Sequence, residues 1–211
     1  MAEYTLYCMA QSGNAYKAAL MLNSCGADWE PHWVDFFNGE TRTDDYKRDV
    51  NVMGEVPVLV HGDLKLTQSG NILYYLAEQF GKYGHSTKEE EREVLRWILF
   101  DNHKLTGYTG TYRFLKTFAK TGDTPVTEFL GGRMHGALAV LNQHLADREW
   151  AVAGRATIAD LSMCGYLFFD DEIGLDWAQY PNIAAWLERI KALPGWQHPY
   201  DLMPGHPLEG A

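Results

Sequence analysis

The chain has 211 residues, of which 46% are hydrophobic and 22% charged, and this globular composition excludes disordered, collagen-like and coiled-coil proteins. Its 28 acidic residues outnumber its 18 basic ones, and the formal net charge of -10 argues against binding to nucleic acids or anionic membranes. No apolar run approaches the roughly 20 residues that span a bilayer, and the three cysteines form no Cys-x-x-Cys motif. These features predict a reduced, soluble, cytoplasmic protein.

The first 40 residues alternate between strand-like and helix-like segments. Residues 4–8 and 33–37 are rich in β-favouring side chains, and the Ala- and Leu-rich stretch 15–22 lies between them. A strand, a helix and a second strand within this length form a βαβ unit, whose two strands run parallel.

A helix, a hairpin and a further helix are predicted next. Residues 43–50 are polar and helical in character, whereas residues 56–60 and 63–67 are short strand candidates joined by His61-Gly62. Ser69 stands directly before a helix with apolar side chains at helical spacing: Ile72, Leu73, Leu76, Ala77 and Phe80. The order β-α-β-α-β-β-α is that of a thioredoxin-like domain.

The second half of the chain contains helix signals and no convincing strand. Thr87 with Glu90 is a capping-box pattern at the start of a long helix, and Thr157 with Asp160 repeats that pattern. The nearly all-apolar segment 161–169 then predicts a core helix. Further helices are marked by Leu138, Leu141 and Leu145, and by a stripe from Ile183 to Leu193 that Pro194-Gly195 ends.

The predicted fold class is therefore α/β + all-α, with two domains. Residues 1–80 form an N-terminal thioredoxin-like domain, residues 81–87 a polar linker, and residues 88–211 an all-helical C-terminal domain.

Five short motifs, spread over essentially the whole chain, resemble the cytosolic glutathione transferase superfamily. They are Leu6-Tyr7-x-x-x-x-Ser12, Gly54-x-Val56-Pro57-x-Leu59, Leu66-x-Gln68-Ser69-x-x-Ile72, Thr157-Ile-Ala-Asp160 and Leu193-Pro-Gly-Trp196. Each is weak alone, but their order and spacing are typical of the family. The stretch Ser12-Gly-Asn14 is most similar to the bacterial theta/nu-like branch, which uses a hydroxyl residue. The resemblance implies glutathione as co-substrate and a homodimer.

Ser12 and Asn14 are the catalytic candidates that this resemblance implies. A thiol with a pKa near 8.5 is little ionised at pH 7, and a hydroxyl donor beside a helix N-terminus favours the thiolate. Asn14 is a second donor to the same sulfur. The alternatives are that Ser12 only caps the helix and that Asn14 is an exposed first-turn residue. A cysteine-using mechanism is disfavoured because Cys8 lies four residues before Ser12.

The resemblance also implies the residues that bind glutathione. Pro57 is expected to be cis, so that the backbone of Val56 pairs with the cysteinyl unit, although an ordinary edge proline is the alternative. Gln68 and Ser69 precede a helix, whose N-terminus binds the γ-glutamyl carboxylate, although Ser69 could instead be an N-cap. Asp101 is expected to reach the γ-glutamyl amine of the neighbouring subunit.

Glu55 departs from the family pattern. Relatives often carry Lys or Gln before the Val-Pro pair, close to the glycyl carboxylate of glutathione, which Glu55 would repel unless it turns outward. Lys47 or Arg48 on the preceding helix could substitute.

The electrophile is expected to bind between the domains, against the first long helix of the second domain. The candidates there are Leu105, Tyr108, Tyr112 and Arg113, and the alternative is that these side chains form a packed helix face. The acidic loop Asp170-Asp171-Glu172 with Asp176 hints at a cation, but solvated carboxylates explain it better. The eight histidines form no zinc motif, so no metal is expected.

The function predicted from these residues is a detoxifying glutathione transferase that conjugates the glutathione thiolate to a small hydrophobic electrophile. A glutathione-dependent disulfide or peroxide reductase is one alternative. A non-catalytic interaction module with the same fold is the other.

Overall fold

The structure is a computed structural model that describes residues 2–208, and its contacts divide the chain into two units. The first unit comprises residues 2–82 together with residues 193–208, and the second comprises residues 83–192. The last segment therefore packs with the first unit, although the sequence interpretation placed it in the helical domain. Hydrogen bonds explain the difference, because the Tyr16 hydroxyl donates to the Gln197 carbonyl at 2.8 Å.

A four-stranded sheet forms the centre of the first unit. Its strands are β1 (Tyr4–Cys8), β2 (Trp29–Trp33), β3 (Val58–His61) and β4 (Leu64–Thr67), in the spatial order β2-β1-β3-β4. β1 is parallel to β2 and antiparallel to β3, and β3 and β4 form a hairpin, which confirms the predicted βαβ unit and hairpin. Because His61 pairs with Leu64, the turn consists of Gly62 and Asp63 rather than His61-Gly62.

The predicted position of β2 was wrong by four residues. The strand ends at Trp33 instead of starting there, and its sequence Trp-Glu-Pro-His-Trp contains a proline and shows no apolar alternation. It lies at the sheet edge, where four of its five residues are exposed and where the missing N–H of Pro31 is tolerated. The apolar residues that follow form turns, in which the Phe36 N–H donates to the Val34 carbonyl at 2.9 Å.

Two helices of the first unit contact this sheet, and the helix near the end of the chain contacts the first helix. The helices of this unit are α1 (Gly13–Cys25), α2 (Asp44–Asp49), α3 (Ser69–Phe80) and, from the end of the chain, α10 (Pro199–Leu202). α1 is longer than predicted and is buried on nearly all sides, and it ends at Gly26 with a φ of 73°, a conformation that favours glycine.

The second unit, residues 83–192, contains helices and no strand, as predicted. Its helices are α4 (Lys88–Phe100), α5 (Thr106–Arg113), α6 (Pro125–His144), α7 (Ile158–Met163), α8 (Asp170–Ile173) and α9 (Pro181–Lys191). Wide π-helical turns over Asp101–Leu105 and Phe114–Phe118 flank α5. The predicted core helix 161–169 is shorter than expected, because hydrogen bonds of single turns replace the helical ladder after Met163.

Asp160 organises the core of the second unit. Its side chain is fully buried, and its carboxylate accepts from the N–H of Ala151 at 2.9 Å, the indole N–H of Trp186 at 2.9 Å, and the N–H and hydroxyl of Thr157 at 2.9 and 3.0 Å. Burial raises the pKa of this carboxyl group, and the four donors oppose that shift. The predicted Thr157–Asp160 capping box is confirmed.

Candidate functional site

Ser12 occupies the loop between β1 and α1 and is the N-cap of α1. Its hydroxyl oxygen accepts a hydrogen bond from the N–H of Ala15 at 3.1 Å, and the side chain is buried. The cap uses a lone pair of this oxygen, while among the described residues no acceptor takes the hydroxyl hydrogen. The cap that the sequence predicts as an alternative is thus present, and it leaves the hydroxyl able to donate to a ligand.

Asn14, in the first turn of α1, connects this loop to the start of α3. Its amide oxygen accepts from the Lys17 ammonium at 2.9 Å and from the Ser69 hydroxyl at 3.4 Å. The structure therefore brings together two predicted residues, Asn14 and Ser69, that lie 55 positions apart. The sequence interpretation missed Lys17, although its spacing of three residues from Asn14 on a helix was a usable signal.

Gln68, not Ser69, is the N-cap of α3. It has a φ of 67°, a conformation that is uncommon for a residue with a side chain and that is often found at ligand sites. Its amide donates to the Glu55 carboxylate at 3.1 Å and approaches the Met53 sulfur at 3.2 Å. Glu55 therefore lies beside Gln68, at the N-terminus of a 12-residue helix.

Val56 and Pro57 directly precede β3 and are joined by a cis peptide bond, as expected. The preceding carbonyl, that of Glu55, accepts from the Tyr46 hydroxyl at 3.0 Å and from the Asn51 amide at 2.9 Å. These two hydrogen bonds hold the backbone of Glu55, the residue directly before Val56. Pro57 is buried and Val56 is half-buried.

Asp101 does not occupy the position expected of it. Its side chain is 0% exposed inside the second unit, where it accepts from the hydroxyls of Thr106 at 2.7 Å and Ser162 at 2.5 Å. A carboxylate so enclosed cannot reach a ligand on a neighbouring subunit without opening this core. Its observed role is to hold the π-helical turn after α4 against α7.

Of the four electrophile candidates, two are half-exposed and two are buried. Tyr108 and Tyr112 on α5 present part of their side chains, whereas Leu105 is enclosed. Arg113 is also buried, pairs with Glu172 at 2.7 Å and lies 3.7 Å from the centre of the Phe169 ring. Leu105 and Arg113 therefore fit the alternative of a packed helix face.

The carboxylates of the 170–176 segment have separate partners. Asp170 accepts from the Trp177 indole at 2.7 Å, Glu172 binds Arg113, and Asp176 accepts from the N–H of Ala178 at 3.0 Å. Across residues 2–208, no three His, Cys, Asp or Glu side chains gather as a metal site. No helix of that range is both long and apolar enough to cross a membrane.

Comparisons with known proteins agree on one family. The family model "Glutathione S-transferase, N-terminal domain" matches residues 2–78, and "Glutathione S-transferase, C-terminal domain" matches residues 119–194. Glutathione S-transferase F14 of Arabidopsis thaliana is 31% identical, over 90% of this chain and 80% of its own length.

Solved structures are similar over nearly the whole chain. A glutathione S-transferase from Xanthobacter autotrophicus Py2 superposes with a TM-score of 0.85 at 32% identity, covering 92% of this chain and 95% of its own. Ure2p in complex with glutathione superposes with a TM-score of 0.84, covering 92% and 96%. At 22% identity, the second likeness shows the fold alone.

Proposed function

Because this chain belongs to the glutathione S-transferase family, we propose that it conjugates the thiolate of glutathione to a small hydrophobic electrophile. The observation that carries this proposal is Ser12, whose hydroxyl caps α1 through a lone pair and keeps its hydrogen for a ligand. The thiol proton leaves to solvent, and the sulfur forms a bond to an electrophilic atom, which takes up the charge or releases its leaving group. Ser12 and the N-terminus of α1 stabilise the thiolate before this step.

We assign the tripeptide to the loops around Val56, Gln68 and Ser69. The N-terminus of α3 supplies free N–H groups for the γ-glutamyl carboxylate, and the backbone of Val56, next to Pro57, supplies a partner for the cysteinyl unit. Glu55 is proposed to bind the γ-glutamyl amine, because its carboxylate already accepts from Gln68. It would take the place that the sequence interpretation gave to Asp101, which is buried.

On the electrophile side, we propose Tyr108 and Tyr112 as the residues that touch the second substrate, since their side chains are half-exposed. Leu105 and Arg113 would support them from the interior. A detoxifying role fits an apolar electrophile, and membership of the theta/nu-like branch stays a prediction.

A glutathione-dependent disulfide or peroxide reductase stays an alternative, because the Ser12-Gly-Asn14 region also permits it, but a mechanism that uses a cysteine nucleophile is disfavoured. Cys8 is fully buried in β1, and burial raises the pKa of its thiol to about 12, so it is protonated at neutral pH. A non-catalytic interaction module would not require a Ser12 hydroxyl that can donate a hydrogen bond to a ligand. We also propose a cytoplasmic location, which fits the finding that Cys8, Cys25 and Cys164 form no disulfide within residues 2–208.

A titration of the thiolate absorbance of glutathione on the purified protein tests the proposed function. We expect saturable binding and a thiol pKa about two units below the free value, a shift that requires about 2.7 kcal/mol. Saturable binding without a shift would contradict catalysis and favour a storage or sensor role. No binding would leave the interaction module as the better explanation.

A homodimer is the assembly that we propose for the active protein. α4 presents Leu95 and Leu99, which are 45% and 58% exposed, and such apolar side chains on one helix suit a partner copy. We expect Leu99→Arg to shift the molar mass measured by light scattering from about two chains to one. Val126→Arg on α6 is the matched control, because Val126 is equally exposed at 58%. Loss of the dimer only in the control would place the interface on α6 instead.

A further inference from the structure

Lys17 is a buried lysine beside the candidate site, and the proposed function assigns it no role. It is 0% exposed, and it is the only lysine that is buried within residues 2–208. Removing an ammonium group from water carries a large free-energy cost unless the group is bound by acceptors. Lys17 lies one turn into α1, beside the candidate site. Its ammonium group therefore needs acceptors close to it.

The contacts of Lys17 include one such acceptor. Its ammonium donates to the amide oxygen of Asn14 at 2.9 Å, and the hydroxyl of Ser69 approaches the same oxygen at 3.4 Å. An ammonium group has donors and no acceptor, so only the oxygen end of the Asn14 amide can face it. Lys17 thereby determines which way round the Asn14 amide is placed.

The other end of that amide is the part left for a ligand. Once its oxygen is committed to Lys17 and Ser69, the Asn14 NH2 group points away from both, and it has no partner among the residues that the structure describes. We propose that Lys17 is a positioning residue that orients Asn14 so that its NH2 group donates to the glutathione sulfur. This inference rests on the proposed function, because it concerns the same thiolate.

The effect of Lys17 on the thiolate depends on rotation of the Asn14 amide about the last bond of its side chain. Without Lys17, the two ends of the Asn14 amide can exchange, and an oxygen that faces the thiolate repels it instead of donating to it. The thiolate then loses one charge-assisted hydrogen bond for part of the time. The thiol pKa rises, although the contacts that hold the rest of the tripeptide are unchanged.

The test compares Lys17→Met with wild type by the thiol titration and by the pH profile of kcat/KM. We expect the pKa of the bound thiol to rise by about one unit, and kcat/KM well below that pKa to fall about tenfold. At pH 6, where the bound ligand is mostly the un-ionised thiol in both proteins, the dissociation constant of glutathione should change less than about threefold. Lys82→Met is the matched control, because Lys82 is exposed and its one hydrogen bond within residues 2–208 goes to the Cys25 carbonyl at 3.3 Å.

A double mutant separates action through Asn14 from a direct effect of the buried charge. In an Asn14→Ala background, Lys17→Met should give no further rise of the thiol pKa. The same rise in both backgrounds would overturn the proposal, and so would an unchanged thiol pKa in Lys17→Met alone. A wild-type protein that binds glutathione without shifting its thiol would instead refute the proposed function.

A measurement on the wild-type protein covers the case in which Lys17→Met does not fold. The side-chain NH2 resonances of Asn14 should shift in a two-dimensional nitrogen–proton NMR spectrum when glutathione is added at a pH at which the bound thiol is ionised. They should shift much less with S-methylglutathione, which binds through the same tripeptide but cannot form a thiolate. Equal shifts with both ligands, or none with either, would overturn the proposal.

Discussion

Ser12→Ala should raise the pKa of the bound glutathione thiol by about 1.5 units and lower kcat/KM at pH 6.5 about 15-fold. The hydroxyl of Ser12 has one hydrogen to donate, and a hydrogen bond to a charged group contributes roughly 1.5–3 kcal/mol. Glutathione affinity at pH 6 should change little, because the bound ligand is then mostly the un-ionised thiol and the proposed contacts of the tripeptide at Val56, Gln68 and Ser69 remain. The rate loss should fade as the pH rises above the new pKa, where the thiol is ionised without help.

Two controls separate the donor role of Ser12 from its cap. Ser12→Thr keeps both the hydroxyl and the cap, so its thiol pKa should stay near that of wild type. Thr124→Ala removes a cap of the same kind from α6, costs about 1 kcal/mol of stability, and should leave the thiol unaffected. An unchanged rate in Ser12→Ala, in an assay limited by the chemical step, would show that Ser12 acts only as a helix cap.

Asp160→Ala should have the largest effect on stability. The substitution leaves buried donors of Ala151, Thr157 and Trp186 without an acceptor in a core that water does not reach. Each buried donor that loses its acceptor costs roughly 1–3 kcal/mol, so the total is on the order of 3–5 kcal/mol. We expect that loss in the free energy of unfolding measured in urea by circular dichroism.

Asp147→Ala is the matched control for this prediction. Asp147 lies in the same unit and pairs with Arg148, but its side chain is 74% exposed, and pairs of that kind contribute about 1 kcal/mol or less. A loss in Asp160→Ala no larger than in the control would show that the other donors find water or new acceptors, contrary to the expectation.

Local patterns in the sequence were sufficient for most of the fold. The βαβ unit, the hairpin and the Thr157–Asp160 box depend on neighbouring residues, and each is present in the structure. β2 was misplaced because an edge strand is stabilised by its hydrogen bonds to β1 and needs no apolar alternation. The pairing of residues 193–208 with the first unit depends on contacts between distant parts of the chain, which no local pattern encodes.

The candidate site was predictable only in part, for a related reason. Ser12 and Ser69 stand at helix starts, where a preference for serine as N-cap singles them out, whereas Gln68 was predicted only from the resemblance to the family. Burial, in contrast, depends on tertiary packing, so no local pattern indicated that Asp101 and Arg113 would be enclosed and bound by partners within the second unit. The contact between Gln68 and Glu55 likewise joins two separate loops.

The order in which the two units can complete folding during synthesis follows from the fact that the first unit consists of both ends of the chain. The loop before Ser12 is held by two bonds from the far end of the chain: the Ala10 N–H donates to the Pro204 carbonyl at 2.8 Å, and the Gln11 amide donates to the Gly205 carbonyl at 2.6 Å. The contiguous second unit is available for folding well before these partners emerge. We expect the nascent helical unit to become protease-resistant first, and glutathione retention by stalled chains to begin only after residue 205 has left the exit tunnel.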